Sequence, residues 1–457
     1  SRRVLGDEDV LDFSAAVHPG GYSRQDIYIT GGAPEGELWE SGFACRTFRY
    51  AEISGLPALR EIDAGMVRGL SVTYDTPPRS EFSCGDETLM RLYRRAVDVF
   101  GLRRPGEVEI RTKAEKHDLL YDRLLTSDFL LLRCDADDYL SACVEALTDE
   151  ASDKEATFSP DPLGRHDTTT VMLRGIALAR MAWLLWQQRG LTRPIETAYP
   201  ALRRWLFSVE LRFPDLLPTK GPEDRGLLRE DDVAAPQMMM TALAFFETIC
   251  RIADMAAALG LRTDAESCRT LASHVRRTYL LTFSEGEDGL FGYPAVDAAA
   301  RCAGMTEQTE TLMEILRRAA TQTPDRRGWG VRGLRAILRA LSEGGEIDAA
   351  LTLLRDPALL AYAESDVAKA EDMSFAADLV ELAAGVRPLE PGYSRFAFSP
   401  RAWKAVGGYH LVLDTPHGKI KVDVTPAGEL TLVVPPCTLC RYGQSELRPG
   451  TYHLRLT

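Results

Sequence analysis

The stretch from Glu109 to Asp122 holds the side chains of this sequence that are best suited to acid–base chemistry. It contains two glutamates, two aspartates, three cations and a histidine within fourteen residues. If the part from Glu115 onward is helical, Glu115 and Asp122 are seven residues apart, two turns along one face. Two carboxyl groups that project from one helix into a cleft can act as general acid and general base. The same composition is typical of a solvated helix start, and both interpretations stay open.

Most of the chain around and after this stretch shows the 3.6-residue period of amphipathic helices. From Asp86, apolar residues of one stripe alternate with arginines and acids. Similar stripes predict helices near residues 119–133, 138–149, 169–189, 196–211, 233–259, 262–283, 306–321, 330–343, 346–355 and 374–384. About eleven or twelve helices of unequal length, without a fixed repeat, do not suit a helical solenoid. They favour an (α/α)6 toroid, with the active site where alternate helix ends converge.

Both flanks of the helical region alternate with the period of β-strands. Residues 25–30, 48–53 and 67–74 predict part of a β-sandwich, which Pro77 and Pro78 separate from the helices. After Pro388, strands are predicted at residues 395–398, 408–413, 418–424, 429–434 and 451–456. The predicted domains are therefore an N-terminal β-domain over residues 1–80, a helical domain over 81–388 and a C-terminal β-sandwich over 389–457.

Composition excludes several classes of partner. The 457 residues include 54 Lys and Arg against 67 Asp and Glu, a net charge of −13 that argues against nucleic acid and anionic membranes. No apolar run approaches the roughly eighteen residues of a membrane-spanning helix. Nine cysteines, scattered except for Cys437 and Cys440, indicate a reducing, cytoplasmic compartment. No histidine, aspartate and cysteine cluster has metal-ligand spacing and no dinucleotide motif is present, so no metal or other cofactor is expected.

Four segments carry a resemblance to a known family. Residues 43–50 are similar to its last strand before the catalytic barrel, and residues 82–86 to its entry into the first barrel helix. Residues 327–334 resemble a late barrel helix, and residues 384–393 resemble the exit into a C-terminal β-sandwich. In order and spacing they resemble the bacterial α-L-rhamnosidases, six-hairpin glycosidases of glycoside hydrolase family 78, from about Asp26 to the end.

The resemblance assigns roles to the acidic stretch. The family's motif has an Asp, an acidic residue five positions later and an Asp seven positions after that, which fall on Ile110, Glu115 and Asp122. It implies that Glu115 is the general acid and that Asp122, with Asp118, binds the sugar. The sequence departs from the motif at Ile110 and at Ala114, where the family has Asp and Arg.

The resemblance also implies a general base shortly before the last barrel helix. Glu371 matches its position best, and Glu364 is the second choice. The tryptophan that precedes this glutamate in the family is replaced by Ala370. Either glutamate could instead supply the N-terminal charge of the helix that begins near Ser374.

Further residues are expected to form the sugar pocket, since deoxysugars need apolar walls and a few carboxylates for their hydroxyls. Trp329 and Tyr293 are the candidate aromatic walls, and both stand in glycine-rich loops. Asp167 and Asp231 precede predicted helices and are the candidate hydroxyl ligands.

The resemblance thus implies a glycoside hydrolase that releases terminal α-L-rhamnosyl residues from oligosaccharides or glycosides with inversion. Inversion requires two carboxyl groups about 6.5–9.5 Å apart, with room for water between them. Two alternatives stay open. The departures at Ile110, Ala114 and Ala370 favour a sugar-binding relative that has lost catalysis, and rebuilt acidic loops would suit an (α/α)6 hydrolase or lyase with another sugar substrate. The sequence leaves a homodimer open.

Overall fold

The computed structural model describes residues 27–40, 53–55, 67–70, 77–102, 118–149, 151, 168–213, 217, 237–284, 289–322, 329–365 and 368–456. The chain divides into two compact units. The first comprises Ser1–Asp75 and Arg103–Leu119, and the second comprises Thr76–Leu102 and Leu120–Thr457.

In the first unit, Glu37 organises the described segment. Its carboxylate accepts hydrogen bonds from the Tyr28 hydroxyl at 2.5 Å and from the backbone amides of Gly31 and Ala33, both at 3.0 Å. These donors, the Tyr28 hydroxyl first among them, lower the pKa of Glu37 to about 2. Residues 27–40, 53–55 and 67–70 contain no strand. The predicted N-terminal strands lie mostly outside the described residues, and that sandwich stays a prediction.

The second unit is mainly helical, which confirms the predicted class. Its helices are α1 (Glu87–Leu102), α2 (Asp118–Arg133), α3 (Asp137–Asp149), α4 (Thr168–Arg189), α5 (Arg193–Arg212), α6 (Gln237–Ala258), α7 (Arg262–Phe283), α8 (Pro294–Cys302), α9 (Glu310–Gln322), α10 (Gly330–Gly344), α11 (Ile347–Leu354), α12 (Pro357–Ala363) and α13 (Ala376–Ala384). Sequence periodicity missed α8 and α12, which have only nine and seven residues. Proline in the first turn starts both, and left-handed Gly345 and Gly385 end α10 and α13.

Alternate helices pack on one another in succession. Helix α4 contacts α6, α6 contacts α8, α8 contacts α10, and α10 contacts α13. Only two or three residues follow α2, α4, α6 and α10 before the next helix begins, as in antiparallel helix hairpins. Connections of seven or more residues precede α2, α4, α6, α8, α9, α10 and α13 instead. Long loops over a rigid scaffold are where binding residues are commonly found.

Close packing of α4 on α5 depends on a glycine in the middle of α4. Gly175 lies against the indole of Trp205, and a Cβ atom on Gly175 would be 2.0 Å from Trp205 Cε2. Trp205 is only 1% exposed and sits edge-on to Phe245 of α6. Trp205 therefore belongs to the core, as its position in the middle of a helix predicts.

The strands form two sheets in the C-terminal part of the second unit. The five-stranded sheet has the order β1 (Glu81–Cys84), β4 (Tyr409–Thr415), β5 (Gly418–Val424), β6 (Glu429–Val434) and β9 (Gly450–Arg455), all antiparallel. The four-stranded sheet has the order β2 (Val386–Pro388), β3 (Arg395–Phe398), β7 (Leu439–Tyr442) and β8 (Ser445–Leu447), with β3 and β7 parallel. Strands β1, β2, β7 and β8 were not predicted, because each has only three or four residues. Strand β3 is equally short and was predicted from the phenylalanines at its alternate positions.

Strand β1 precedes the first helix yet belongs to the sheet of the C-terminal strands. Ser83 pairs with His410 of β4. The predicted limits of the helical domain, 81–388, and of the C-terminal domain, 389–457, stay predictions.

The described residues show no disulfide, no metal-binding group and no membrane-spanning helix. The eight described cysteines form no disulfide with one another, with Cys437 exposed and Cys440 buried in β7. Within the described ranges, no three His, Cys, Asp or Glu residues form a group suited to a metal ion. None of the helices described is both long and apolar enough to cross a membrane.

Candidate active site

The residues singled out by sequence stand, with one exception, at or just before the starts of alternate helices. Helices that begin at one end of a scaffold present their N-terminal partial positive charges there, which favours carboxylates. The positions are Asp118 and Asp122 in the first turns of α2, Asp167 directly before α4, Asp231 before α6, Tyr293 directly before α8, Trp329 directly before α10, and Glu371 before the turn that leads into α13. Glu115, Asp167 and Asp231 lie outside the described residues, as do the side chains of Asp118 and Asp122.

Glu371 is a buried carboxyl group at the entrance to α13. It is 9% exposed, and the Lys369 ammonium lies 3.7 Å from its Oε1. A 3₁₀ turn, Asp372–Phe375, follows and runs directly into α13. The Glu371 side chain makes no capping hydrogen bond to that turn. Glu371 is therefore a buried carboxyl group beside a lysine, and its side chain does not cap the helical turn.

Asp372, which sequence analysis did not single out, lies next to Glu371. Its Oδ2 accepts a hydrogen bond from the Tyr362 hydroxyl. Burial raises the pKa of Asp372 to about 6, the Tyr362 bond acts against this rise, and the charge of Glu371 adds to it. A buried carboxyl group with a pKa of about 6 is suited to acid–base chemistry near neutral pH. The signal in the sequence that could have identified Asp372 is its position directly after Glu371.

The two candidate aromatic walls differ in accessibility. Tyr293 is 45% exposed at the residue before α8, with Gly292 beside it in the left-handed region at φ 76°. The neighbouring Phe291 is fully buried against Tyr279, so Tyr293 is the accessible ring of this loop. Trp329 is only 7% exposed and packs its Cβ near Gly333 of α10. Tyr293 therefore has the free face that sugar stacking needs.

Glu364, the exception, lies at the end of a helix and not at the start. Its carboxylate receives two hydrogen bonds from the Arg91 guanidinium, from Nε at 2.9 Å and from Nη2 at 2.7 Å. Both side chains are largely exposed, and the pair connects α1 to the end of α12. This contact gives Glu364 a structural function, and its role as second-choice base stays a prediction.

Beneath the helix starts, Arg335 of α10 forms a buried ionic contact with two other helices. Its Nη1 donates to Asp128 Oδ1 at 3.2 Å and to the Leu125 carbonyl of α2 at 3.1 Å, and its Nη2 donates to Asp128 Oδ2. Its Nε donates to Asp378 in the first turn of α13. Asp378 also accepts from Arg339 at 3.2 Å. The exposed fractions of Arg335, Asp128 and Asp378 are 8%, 6% and 7%.

The charges of this cluster stabilise one another. Burial acts against ionised Asp128, but the attraction of Arg335 and Arg180 outweighs it and lowers the pKa of Asp128 to about 2. Arg180 of α4 donates to Asp128 at 2.9 Å. Burial and the neighbouring Arg251 lower the pKa of Arg180 to about 10, with Asp128 acting in the opposite direction. Asp128, Arg180 and Arg335 are therefore charged at neutral pH, and the Asp128 carboxylate lies against both guanidinium groups.

Comparison with known proteins decides the family. The model of a family described as bacterial alpha-L-rhamnosidase 6 hairpin glycosidase domain matches residues 113–362, more than half of the chain. The chain belongs to this family. The match begins just before Glu115 and ends just before Glu364.

Three solved structures are similar in fold to this chain. The α-L-rhamnosidase of Aspergillus terreus is similar at a TM-score of 0.73 and 16% identity, over 88% of this chain and 52% of that one. The Dictyoglumus thermophilum enzyme is similar at 0.71 and 14%, over 82% and 46%. The Streptomyces avermitilis enzyme, solved with L-rhamnose, is similar at 0.69 and 18%, over 81% and 39%. Such identities establish the fold, and the chain spans only about half the length of these relatives. Sequence comparison with curated proteins gives no match.

Proposed function

We propose that this six-hairpin glycosidase is an inverting α-L-rhamnosidase that releases terminal rhamnosyl residues from oligosaccharides or glycosides. The observation that carries the proposal is the buried pair Glu371 and Asp372 before α13, in a chain whose family is that of the bacterial rhamnosidases. The proposal includes an (α/α)6 toroid for the helices and a β-sandwich for the two sheets. It also includes the reducing compartment that the cysteines suggest.

In the proposed mechanism, Glu115 protonates the glycosidic oxygen while Glu371 removes a proton from a water molecule. That water attacks the anomeric carbon from the opposite face and the configuration inverts. Asp372 lies next to the base, and the Tyr362 hydroxyl holds its carboxyl group in one orientation.

The remaining candidates would bind the sugar. Tyr293 offers an accessible ring to the apolar face and methyl group of a deoxyhexose. Trp329, directly before α10 and only 7% exposed, would contribute little surface to this wall. Asp118, Asp122, Asp167 and Asp231 would accept hydrogen bonds from hydroxyl groups.

The test is hydrolysis of p-nitrophenyl α-L-rhamnopyranoside by wild type, Glu115→Gln and Glu371→Gln. We expect kcat to fall by a factor of about 10² or more in each variant, because general acid and base contributions are of that size. Glu310→Gln is the matched control, since the Glu310 side chain is 88% exposed on α9. Proton NMR of the first product should show the β-anomer of rhamnose. Full activity in both variants would contradict the assignment.

A sugar-binding relative without catalysis is the second candidate. The burial of Trp329 and the presence of buried Ala370 beside Glu371 favour it, because both reduce the aromatic surface at the proposed site. Calorimetric binding of L-rhamnose without turnover of any aryl glycoside would support this candidate over the first.

A further inference from the structure

A cavity of about 230 Å³ lies between α2, α3 and α4. One face of α3 contributes Tyr139, Cys143 and Leu147 to its lining, at the four-residue spacing of neighbours on a helix. Buried Met181 of α4 adds apolar surface, and Arg123 of α2 is the one charged side chain among the described residues that line the cavity. None of the described residues proposed for catalysis or sugar binding lines it.

Arg123 is half-buried and has no acidic partner within the described chain. Its guanidinium carbon lies 5.9 Å from the centre of the Tyr139 ring. An aromatic face attracts this cation but offers no oxygen to its five N–H donors. The guanidinium groups of Arg180, Arg335 and Arg339, by contrast, are each paired with a carboxylate. Arg123 therefore presents an unpaired positive charge to a cavity whose other walls are mostly apolar.

The cavity meets solvent beside two alanines of α3. Ala142 and Ala146 line it and are exposed, so their small side chains leave an entrance that a larger residue would obstruct. Leu147, which is 8% exposed, lies further inside. An apolar cavity of about 150 Å³ is large enough for benzene, so this one has room for a single ring, or a short chain, together with a carboxylate.

We propose that this cavity binds a small carboxylate with a compact apolar body. The ligand's carboxylate accepts two parallel hydrogen bonds from the Arg123 guanidinium, and its apolar body packs against Leu147 and Met181. The net charge of −13 opposes non-specific binding of anions, so the preference for a carboxylate comes from Arg123. Neither Glu115 nor Glu371 takes part, and the site goes beyond the proposed hydrolysis of rhamnosides.

Isothermal titration calorimetry with sodium benzoate, and with benzamide as its neutral counterpart, tests the proposal. We expect a Kd of about 1 mM or tighter for benzoate and at least about 10-fold weaker binding of benzamide. Arg123→Met keeps most of the side-chain volume without the charge and should weaken benzoate binding at least about 10-fold. Arg193→Met is the matched control, because the Arg193 side chain is 84% exposed and pairs with Glu145 of α3 at 3.2 Å. Its Kd should stay within about 2-fold of wild type.

Alkylation by iodoacetamide, followed by mass spectrometry of the peptides, locates the bound benzoate. At a concentration of ten times Kd, benzoate should slow labelling of Cys143 about 10-fold and leave labelling of the exposed Cys437 unchanged. Ala146→Phe, at an exposed position, should abolish binding and protection at the wild-type melting temperature, and it keeps the test decisive if Arg123→Met does not fold. Absence of saturable benzoate binding, wild-type affinity in Ala146→Phe, or an unprotected Cys143 would overturn the proposal. These measurements need no turnover of a rhamnoside, so failure of the proposed function would leave their result unchanged.

Discussion

Replacing Asp372 by asparagine should make the protein more stable above pH 6 and leave it unchanged in acid. Burial, only partly opposed by the Tyr362 hydroxyl, raises the pKa of this carboxyl group from 3.8 to about 6 in the folded state. Between these two values the folded protein binds a proton that the unfolded chain has released. The stabilising contribution of protonated Asp372 is therefore fully present below pH 3.8 and is lost as the pH rises through about 6.

The magnitude follows from the size of the shift. About two pKa units, at about 1.4 kcal/mol each, correspond to roughly 3 kcal/mol of unfolding free energy lost between pH 4 and pH 7. Asparagine cannot ionise, and its carbonyl oxygen can accept the same hydrogen bond from Tyr362. With an unfolding entropy of about 2.1 cal/mol/K per residue, the variant should melt about 3–4 °C above wild type at pH 7.5.

Differential scanning fluorimetry of both proteins at four pH values from 4.5 to 7.5 measures this difference. The gap in Tm should open between pH 5 and pH 7. Tyr362→Phe provides the opposite control, because loss of the hydroxyl removes a bond that lowers the pKa of Asp372. Its destabilisation should therefore grow as the pH rises. A gap for Asp372→Asn that is constant with pH would refute the assignment of Asp372 as a buried titrating group.

Three further predictions concern packing, surface charge and the sugar pocket. Gly175→Ala should lower the unfolding free energy by about 1–3 kcal/mol in urea titrations, because its methyl group overlaps the Trp205 ring, and Trp205→Leu should reduce the cost of the added methyl. Glu364→Gln should lower the unfolding free energy by less than about 1 kcal/mol and retain turnover, because the ion pair of Glu364 with Arg91 is exposed. A loss of kcat as large as that of Glu371→Gln would instead assign the general base to Glu364. Tyr293→Ala should raise KM for the rhamnoside several-fold with a smaller change in kcat, and an unchanged KM would remove Tyr293 from the binding wall.

The helices and strands could be predicted where the apolar residues repeat with a regular period over enough positions to be recognised. Helix α7 and strand β5 were predicted with the bounds that the structure has, at Arg262–Phe283 and Gly418–Val424. Helix α8, with nine residues rich in alanine, has no clear stripe, and strands β7 and β8 are too short to show alternation.

The candidate site could be predicted only in part. Glu371 stands before the last helix of the described chain, as the resemblance implied. The buried contacts of Arg335 could not be foreseen, because its partners Asp128 and Asp378 are 207 and 43 residues away. The sequence does show arginines at helical spacing on α10, but such a row usually indicates a helix face that is exposed to solvent. Packing against α2 and α13 buries only Arg335 of this row.

The pairing of β1 with β4 has a consequence for synthesis of the chain. Glu81–Cys84 pairs with Tyr409–Thr415, and Asp86 pairs with Arg355, 269 residues away. A ribosome that adds about 5–20 residues per second needs on the order of 15–65 seconds to deliver β4 after β1 has emerged. In a helix hairpin such as α4 with α5, the contacts between the two helices are close in sequence and can form as the helices emerge, whereas β1 waits as an unpaired edge. The nascent protein therefore passes through a long interval in which chaperone binding at β1 competes with aggregation, and completion of the five-stranded sheet is among its last folding events.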